Sequence, residues 1–165
     1  MPKSRIVGIS FDHMHMGDLL RCVHDHPNAE IAGIFDPDRA TMQRAIDTFG
    51  IPSDRVFTDF DACMTATKPD LAILCAATAN HADYTKRLAA YAVHVFVEKP
   101  FASSVADARA MIEAVKPTGK YLAINWPLRW VESHLTAKRL VDEGMIGEVI
   151  EIHSYGGNRG PLYHL

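Results

Sequence analysis

The chain has 165 residues, of which 48% are hydrophobic, 22% charged and 8% aromatic, with a formal net charge of -3, the profile of an ordinary globular domain. Seventeen basic residues against twenty acidic ones leave no cationic surplus to neutralise a phosphate backbone, which argues against nucleic acid as a partner. No apolar run approaches the roughly 18 to 20 residues that cross a bilayer, no leader pattern follows Met1, and Cys22, Cys63 and Cys75 lack Cys-x-x-Cys spacing, so the reading is a cytoplasmic chain without membrane contact.

Apolar runs of strand length alternate with stretches of helical period, the pattern of βαβ units around a parallel sheet. The first run is Arg5 to Ile9 and the second Ile31 to Phe35. Asp36-Pro37 then reads as a helix start, with Met42, Ala45, Ile46 and Phe49 at helical spacing and Gly50 as the stop. A weaker strand lies near Arg55-Val56-Phe57, and a strong one runs from Leu71 to Cys75. Asn80-His81-Ala82-Asp83 resembles a capping box before Tyr84, Leu88 and Tyr91. Val93 to Val97 forms the fifth strand, and Ser104 with Asp107 repeats the capping device before a face of Val105, Ala108, Ile112 and Val115.

Tyr121 to Ile124 supplies a sixth strand, and a helix from Val131 to Glu143 stops at Gly144. The expected fold is therefore α/β, a doubly wound parallel sheet occupying residues 1–125. Residues 126–165 would hold a crossover helix and the opening strand of a second, truncated α/β domain, because Glu148 to Tyr155 alternates polar and apolar residues. Such an exposed strand could also pair with another copy, giving a homo-oligomer through a C-terminal sheet.

In an open parallel sheet, ligands bind beyond the carboxyl ends of the strands. After the first strand stand Ser10-Phe11-Asp12-His13-Met14-His15, where a dinucleotide fingerprint would place Gly-x-Gly-x-x-Gly. Those glycines are missing, although a helix N-terminus there still offers amides and a positive dipole end to an anion. Asp36 follows the second strand, 26 positions after Ser10, near the roughly 20-residue spacing of an acid that binds the adenosine ribose. Its charge favours NAD over NADP, while Arg39 nearby keeps a 2′-phosphate open; the competing role for Asp36 is that of a helix N-cap alone.

After the fourth strand come Ala76-Ala77-Thr78-Ala79-Asn80-His81, and after the fifth Glu98-Lys99-Pro100. Together these segments resemble the Gfo/Idh/MocA oxidoreductase family, whose members carry a Thr-Pro-Asn-like turn and a Glu-Lys-Pro motif at these places; here Ala79 stands where proline is usual. Asp142 to Val149 is similar to the family's passage out of its nucleotide domain.

The resemblance implies a Rossmann domain binding NAD or NADP, and hydride transfer to or from a sugar, inositol or related polyol. Asp36 would hold the adenosine ribose, with Ser10, Phe11, His13 and His15 toward the phosphates. Thr78, Asn80 and His81 would line the cofactor path, Glu98 and Lys99 would sit beside the nicotinamide ribose, and Lys99 would be the catalytic group. The family's catalytic Asp and His, in its substrate domain, have no counterpart among residues 1–165.

Three other readings stand beside this one. A solvated Lys99 paired with Glu98 would be a mere loop cation; separately, the absent glycines and the missing substrate domain suit a non-catalytic nucleotide-binding or regulatory module. His13-x-His15 after a first strand is also how metal-dependent amidohydrolases begin, but a barrel needs around 250 residues, so no metal is expected. Trp126, Arg129 and Trp130 would either wall a substrate pocket or pack between domains.

Overall fold

The computed structural model describes residues 2–153. The chain divides into two compact units, Met1–Asn125 and Trp126–Leu165. The first holds six parallel strands in the order β3-β2-β1-β4-β5-β6: β1 (Ser4–Ile9), β2 (Ala29–Phe35), β3 (Val56–Phe57), β4 (Leu71–Leu74), β5 (His94–Glu98) and β6 (Leu122–Asn125). Between them run α1 (His15–Asp25), α2 (Arg39–Phe49), α3 (Phe60–Thr67), α4 (His81–Ala89) and α5 (Val105–Val115). This is a doubly wound Rossmann sheet. An open sheet has no barrel mouth, which removes the amidohydrolase reading of His13 and His15.

Successive strand residues point to opposite faces, a register shift after Ile31 of β2 bringing Ile31 and Ile34 to the same side, and both faces are covered. Val7, Ile9, Ala72, Leu74, Val95 and Val97 meet α3, α4 and α5 through Phe60, Cys63, Leu88, Met111 and Val115. On the other face Ile6, Ile31, Ile34 and Ile73 meet α1 and α2 through Met16, Leu20, Val23, Met42 and Ala45. Burying strands on both sides explains why they read as continuous apolar runs rather than alternating ones.

Several local expectations are corrected. Asp38, not Asp36, caps α2, its carboxylate accepting the Ala40 amide at 2.9 Å. The capping box at Asn80 does not form; a short 3₁₀ turn over Thr78–Asn80 runs straight into α4, and Asn80 makes no side-chain cap. Ser104 caps α5, its Oγ accepting the Asp107 amide at 3.1 Å and its hydroxyl donating to Asp107 Oδ2 at 2.8 Å; of the expected face Val115 is buried, but Val105 and Ile112 lie exposed and Met111 is buried in their place. The short helix α3, capped by Asp59 on the Ala62 amide at 2.7 Å, is an addition to the expected elements.

The second unit carries a turn over Pro127–Trp130 and α6 (Glu132–Asp142), followed by Gly144 at φ 72°. The expected strand over 148–155 is not formed across 148–153, and its last two residues lie outside the described ones. An isolated strand has no ladder partner for its amides and carbonyls, and Ile150 and Ile152 are 95% and 82% exposed.

Candidate functional site

The register aligns the strand tips. Ile9 pairs with Phe35 and with Leu74, Leu74 with Val97, and Glu98 with Asn125. The residues that follow, Ser10, Asp36, Cys75 and Lys99, therefore share one edge, and the strand order reverses where β1 meets β4, the place where an open α/β sheet leaves a crevice.

The turn after β1 is stitched to both neighbours. Ser10 adopts φ 63°, a left-handed conformation that a fingerprint glycine would take without strain and that costs another residue about 1 kcal/mol. Its amide donates to Phe35 O at 2.8 Å. The Phe11 amide donates to Asp36 Oδ2 at 2.8 Å, and the Asp38 amide to Asp36 Oδ1 at 2.9 Å. Asp36 is thus a buried carboxylate, 4% exposed, held by two backbone amides rather than capping a helix. On the β4 side, Asp12 Oδ2 accepts the Ala77 amide at 2.8 Å and the Ser10 hydroxyl at 3.1 Å, while the His13 amide donates to Cys75 O at 3.1 Å.

The start of α1 differs from a glycine-rich phosphate loop. The His15 amide donates to His13 Nδ1 at 3.2 Å, and the amides of Met16 and Gly17 donate to His13 O and Met14 O at 3.1 and 3.2 Å. These long bonds occupy donors that a helix N-terminus would otherwise turn toward an anion.

At the tip of β5, Glu98 is 1% exposed. The Asn125 amide Nδ2 donates to its Oε2 at 2.6 Å, His15 Nδ1 lies 3.0 Å from its Oε1, and Lys99 Nζ lies 3.9 Å from the same oxygen. His15 and Glu98, 83 positions apart, therefore meet across the sheet edge. Lys99 precedes Pro100 through a cis peptide and has a half-exposed side chain.

At the tip of β4, Thr78 is half-buried and Asn80 exposed. His81 is buried, its Nδ1 3.1 Å from Phe101 O and its Nε2 2.9 Å from Ala76 O, so the ring ties the β4 loop to the β5 loop. Arg39 is exposed in the first turn of α2.

Nucleophilic sulfur chemistry is absent from this edge. Burial, and then the charge of Glu98, push the Cys75 thiol up, and burial pushes the Cys63 thiol up to about 12, so both remain protonated at neutral pH. Burial, followed by the charge of Asp36, also raises the Tyr84 phenol. In the second unit, Arg129 lies over the Trp130 ring at 5.5 Å.

Two residues of this edge escape a reading of the sequence, Asp12 and Asn125. Asn125 is polar and sits at the last position of an apolar strand, which is a signal; its partner Glu98 becomes visible only once β6 is paired with β5.

A family model described as "Oxidoreductase family, NAD-binding Rossmann fold" matches residues 4–126. D-apiose dehydrogenase of Paraburkholderia graminis is 28% identical over 148 residues, covering 88% of this chain and 37% of that protein. Inositol 2-dehydrogenase of Salmonella paratyphi B is 26% identical over 167 residues, covering 98% and 48%. An Agrobacterium radiobacter oxidoreductase crystallised with NAD+, L-tartaric acid and magnesium superposes with a TM-score of 0.81 at 25% identity, covering 88% of this chain and 42% of that one. The chain spans less than half the length of these relatives. Sheet order, strand-tip residues and sequence agree on one conclusion, that the chain belongs to the Gfo/Idh/MocA oxidoreductase family.

Proposed function

We propose that residues 4–126 bind NAD along the carboxyl edge of the sheet, as the dinucleotide half of a dehydrogenase acting on a polyol or sugar-like substrate. The observation that carries this reading is the placing of two charges on that edge. A buried carboxylate, Asp36, stands after β2, and an ammonium, Lys99, after β5, with β1 and β4 between them. The inositol and apiose dehydrogenases among its relatives support the substrate class.

The residues present fit an adenine dinucleotide. Asp36 already holds the turn after β1, and its oxygens would also accept from adenosine ribose hydroxyls, while its charge would oppose the 2′-phosphate of NADP. Ser10 gives the turn its left-handed bend, and Phe11, His13 and His15 would hold the diphosphate with fewer open amides than a glycine loop supplies. Thr78 and Asn80 flank the path toward the nicotinamide, and His81 fixes the two loops that border it. Arg39 lies at the ribose end.

When bound, NAD supplies the hydride acceptor. The Lys99 ammonium would then donate a hydrogen bond to the substrate oxygen, and Glu98, anchored by Asn125, holds it there. Three free thiols suit a reducing cytoplasm, and among the described residues no helix is long and apolar enough to cross a membrane.

Calorimetric titration with NAD+ and NADP+ tests the ribose assignment. Asp36→Ala is expected to weaken NAD+ binding by about tenfold or more, the size of a lost hydrogen bond to a charged group, and NADP+ binding less. Asp36→Asn, which keeps an acceptor for the Phe11 amide, separates ribose recognition from loop support. Equal affinity of all three proteins for NAD+ would remove the assignment.

A further inference from the structure

We propose that His13, His15 and Glu98 form a binding site for one divalent transition-metal cation of the zinc class. One candidate donor atom from each of the three lies within 4.8 Å of the others. Four-coordinate zinc, with bonds of roughly 2.0 to 2.2 Å, separates its donors by about 3.4 Å, so the cluster closes on an ion by side-chain movements of about an ångström. Two imidazoles and one carboxylate are a donor set suited to zinc and its first-row neighbours and poorly suited to magnesium or calcium.

The backbone explains why these rings converge. Residues two apart on a helix face different directions, but α1 begins at His15 and His13 belongs to the preceding turn. The two ring centroids are 4.5 Å apart at an interplanar angle of 68°, and the His15 amide orients the His13 ring through Nδ1 at 3.2 Å.

Glu98 brings the third donor from β5. Its Oε2 is anchored by Asn125 at 2.6 Å, and its Oε1 stands 3.0 Å from His15 Nδ1. A carboxylate ligand held by an outer amide is the arrangement that fixes a metal ligand in place. A bound cation would also neutralise a carboxylate that is 1% exposed. Three protein donors leave a fourth position for water or another oxygen ligand, and the His15 side chain keeps 26% of its surface exposed.

Lys99 opposes occupancy. Its Nζ is 3.9 Å from Glu98 Oε1, so a metal ion there meets a like charge and must displace it. That conflict supplies a diagnostic variant, because removing the ammonium should tighten metal binding, whereas a site built elsewhere on the chain would not respond.

The test titrates Zn2+, with Co2+ as optical probe, into chelator-treated full chain without dinucleotide. One Zn2+ per chain is expected, with intense four-coordinate Co2+ absorption. His13→Ala and His15→Ala, both at partly exposed positions, should each weaken binding by more than about tenfold, and Lys99→Met should tighten it severalfold. Glu98→Gln should behave like the histidine variants, circular dichroism establishing that it folds. The double variant His24→Ala/His26→Ala, at the far end of α1, should bind as the parent does. Absence of binding, retention of it in His13→Ala and His15→Ala, or its loss in the His24/His26 variant would overturn the proposal. Because no dinucleotide is added, a chain that binds NAD+ and no metal refutes this site alone.

Discussion

Asp12 concentrates the residue-scale chemistry of the site. Its exposed carboxylate accepts the Ala77 amide at 2.8 Å and the Ser10 hydroxyl at 3.1 Å, tying β1's turn to β4's loop. It does so where a diphosphate would approach the start of α1, and two like charges there repel. At the high effective dielectric of an exposed loop the repulsion is roughly 1 kcal/mol, about fivefold in affinity. Asp12→Asn retains an oxygen for the Ala77 amide and is expected to tighten NAD+ binding by about that factor in calorimetry, with a weaker salt dependence. Unchanged or weakened binding would mean that Asp12 faces away from the phosphates. Asp36, Glu98 and Lys99 are legible in the sequence because a residue directly after an apolar run must stand at a strand tip. The engagements of Asp12 with Ala77 and of Asn125 with Glu98 are not, since they depend on which strands become neighbours.

Among elements, the strands are the most readable, because burial on both faces forces uninterrupted apolar runs. Helix faces are less so. The period of α5 leaves open whether Val105 and Ile112 or Met111 joins Val115 inward, and packing into the cluster that holds Leu88, Val95 and Val97 selects Met111. The sequence of residues 148–155 has strand alternation, but alternation specifies a strand only when a neighbour accepts its hydrogen bonds. Two glycines measure how tightly elements meet. A Cβ at Gly33 of β2 would lie 2.6 Å from Thr67 Cγ2, 3.1 Å from Phe57 Cε2 and 3.2 Å from Arg55 O, and the last of these is backbone. Gly33→Ala should therefore destabilise the fold by about 1 to 3 kcal/mol. Gly17, inside α1, has nothing within 4 Å of its added Cβ, and Gly17→Ala should stabilise by about 0.5 to 1 kcal/mol through helix propensity. Denaturant melts of the two variants should move in opposite directions; shifts of the same sign would contradict this packing.

For the molecule as a whole, the sheet order determines the chemistry. Placing β1 between β2 and β4 brings Asp36, the Ser10 turn, the Thr78–Asn80 turn and the Glu98–Lys99 pair onto one edge, and the same order carries Glu98 to His15. Alternating strand and helix patterns predict a doubly wound sheet, while its departures from a glycine fingerprint show how a left-handed serine and an imidazole take over the turn. The most direct test is a crystal structure of the chain soaked with NAD+. The adenosine ribose hydroxyls should lie within hydrogen-bond distance of the Asp36 carboxylate, with the nicotinamide beside Lys99. Density for the dinucleotide at the opposite ends of the strands, or with its ribose away from Asp36, would contradict the proposed site.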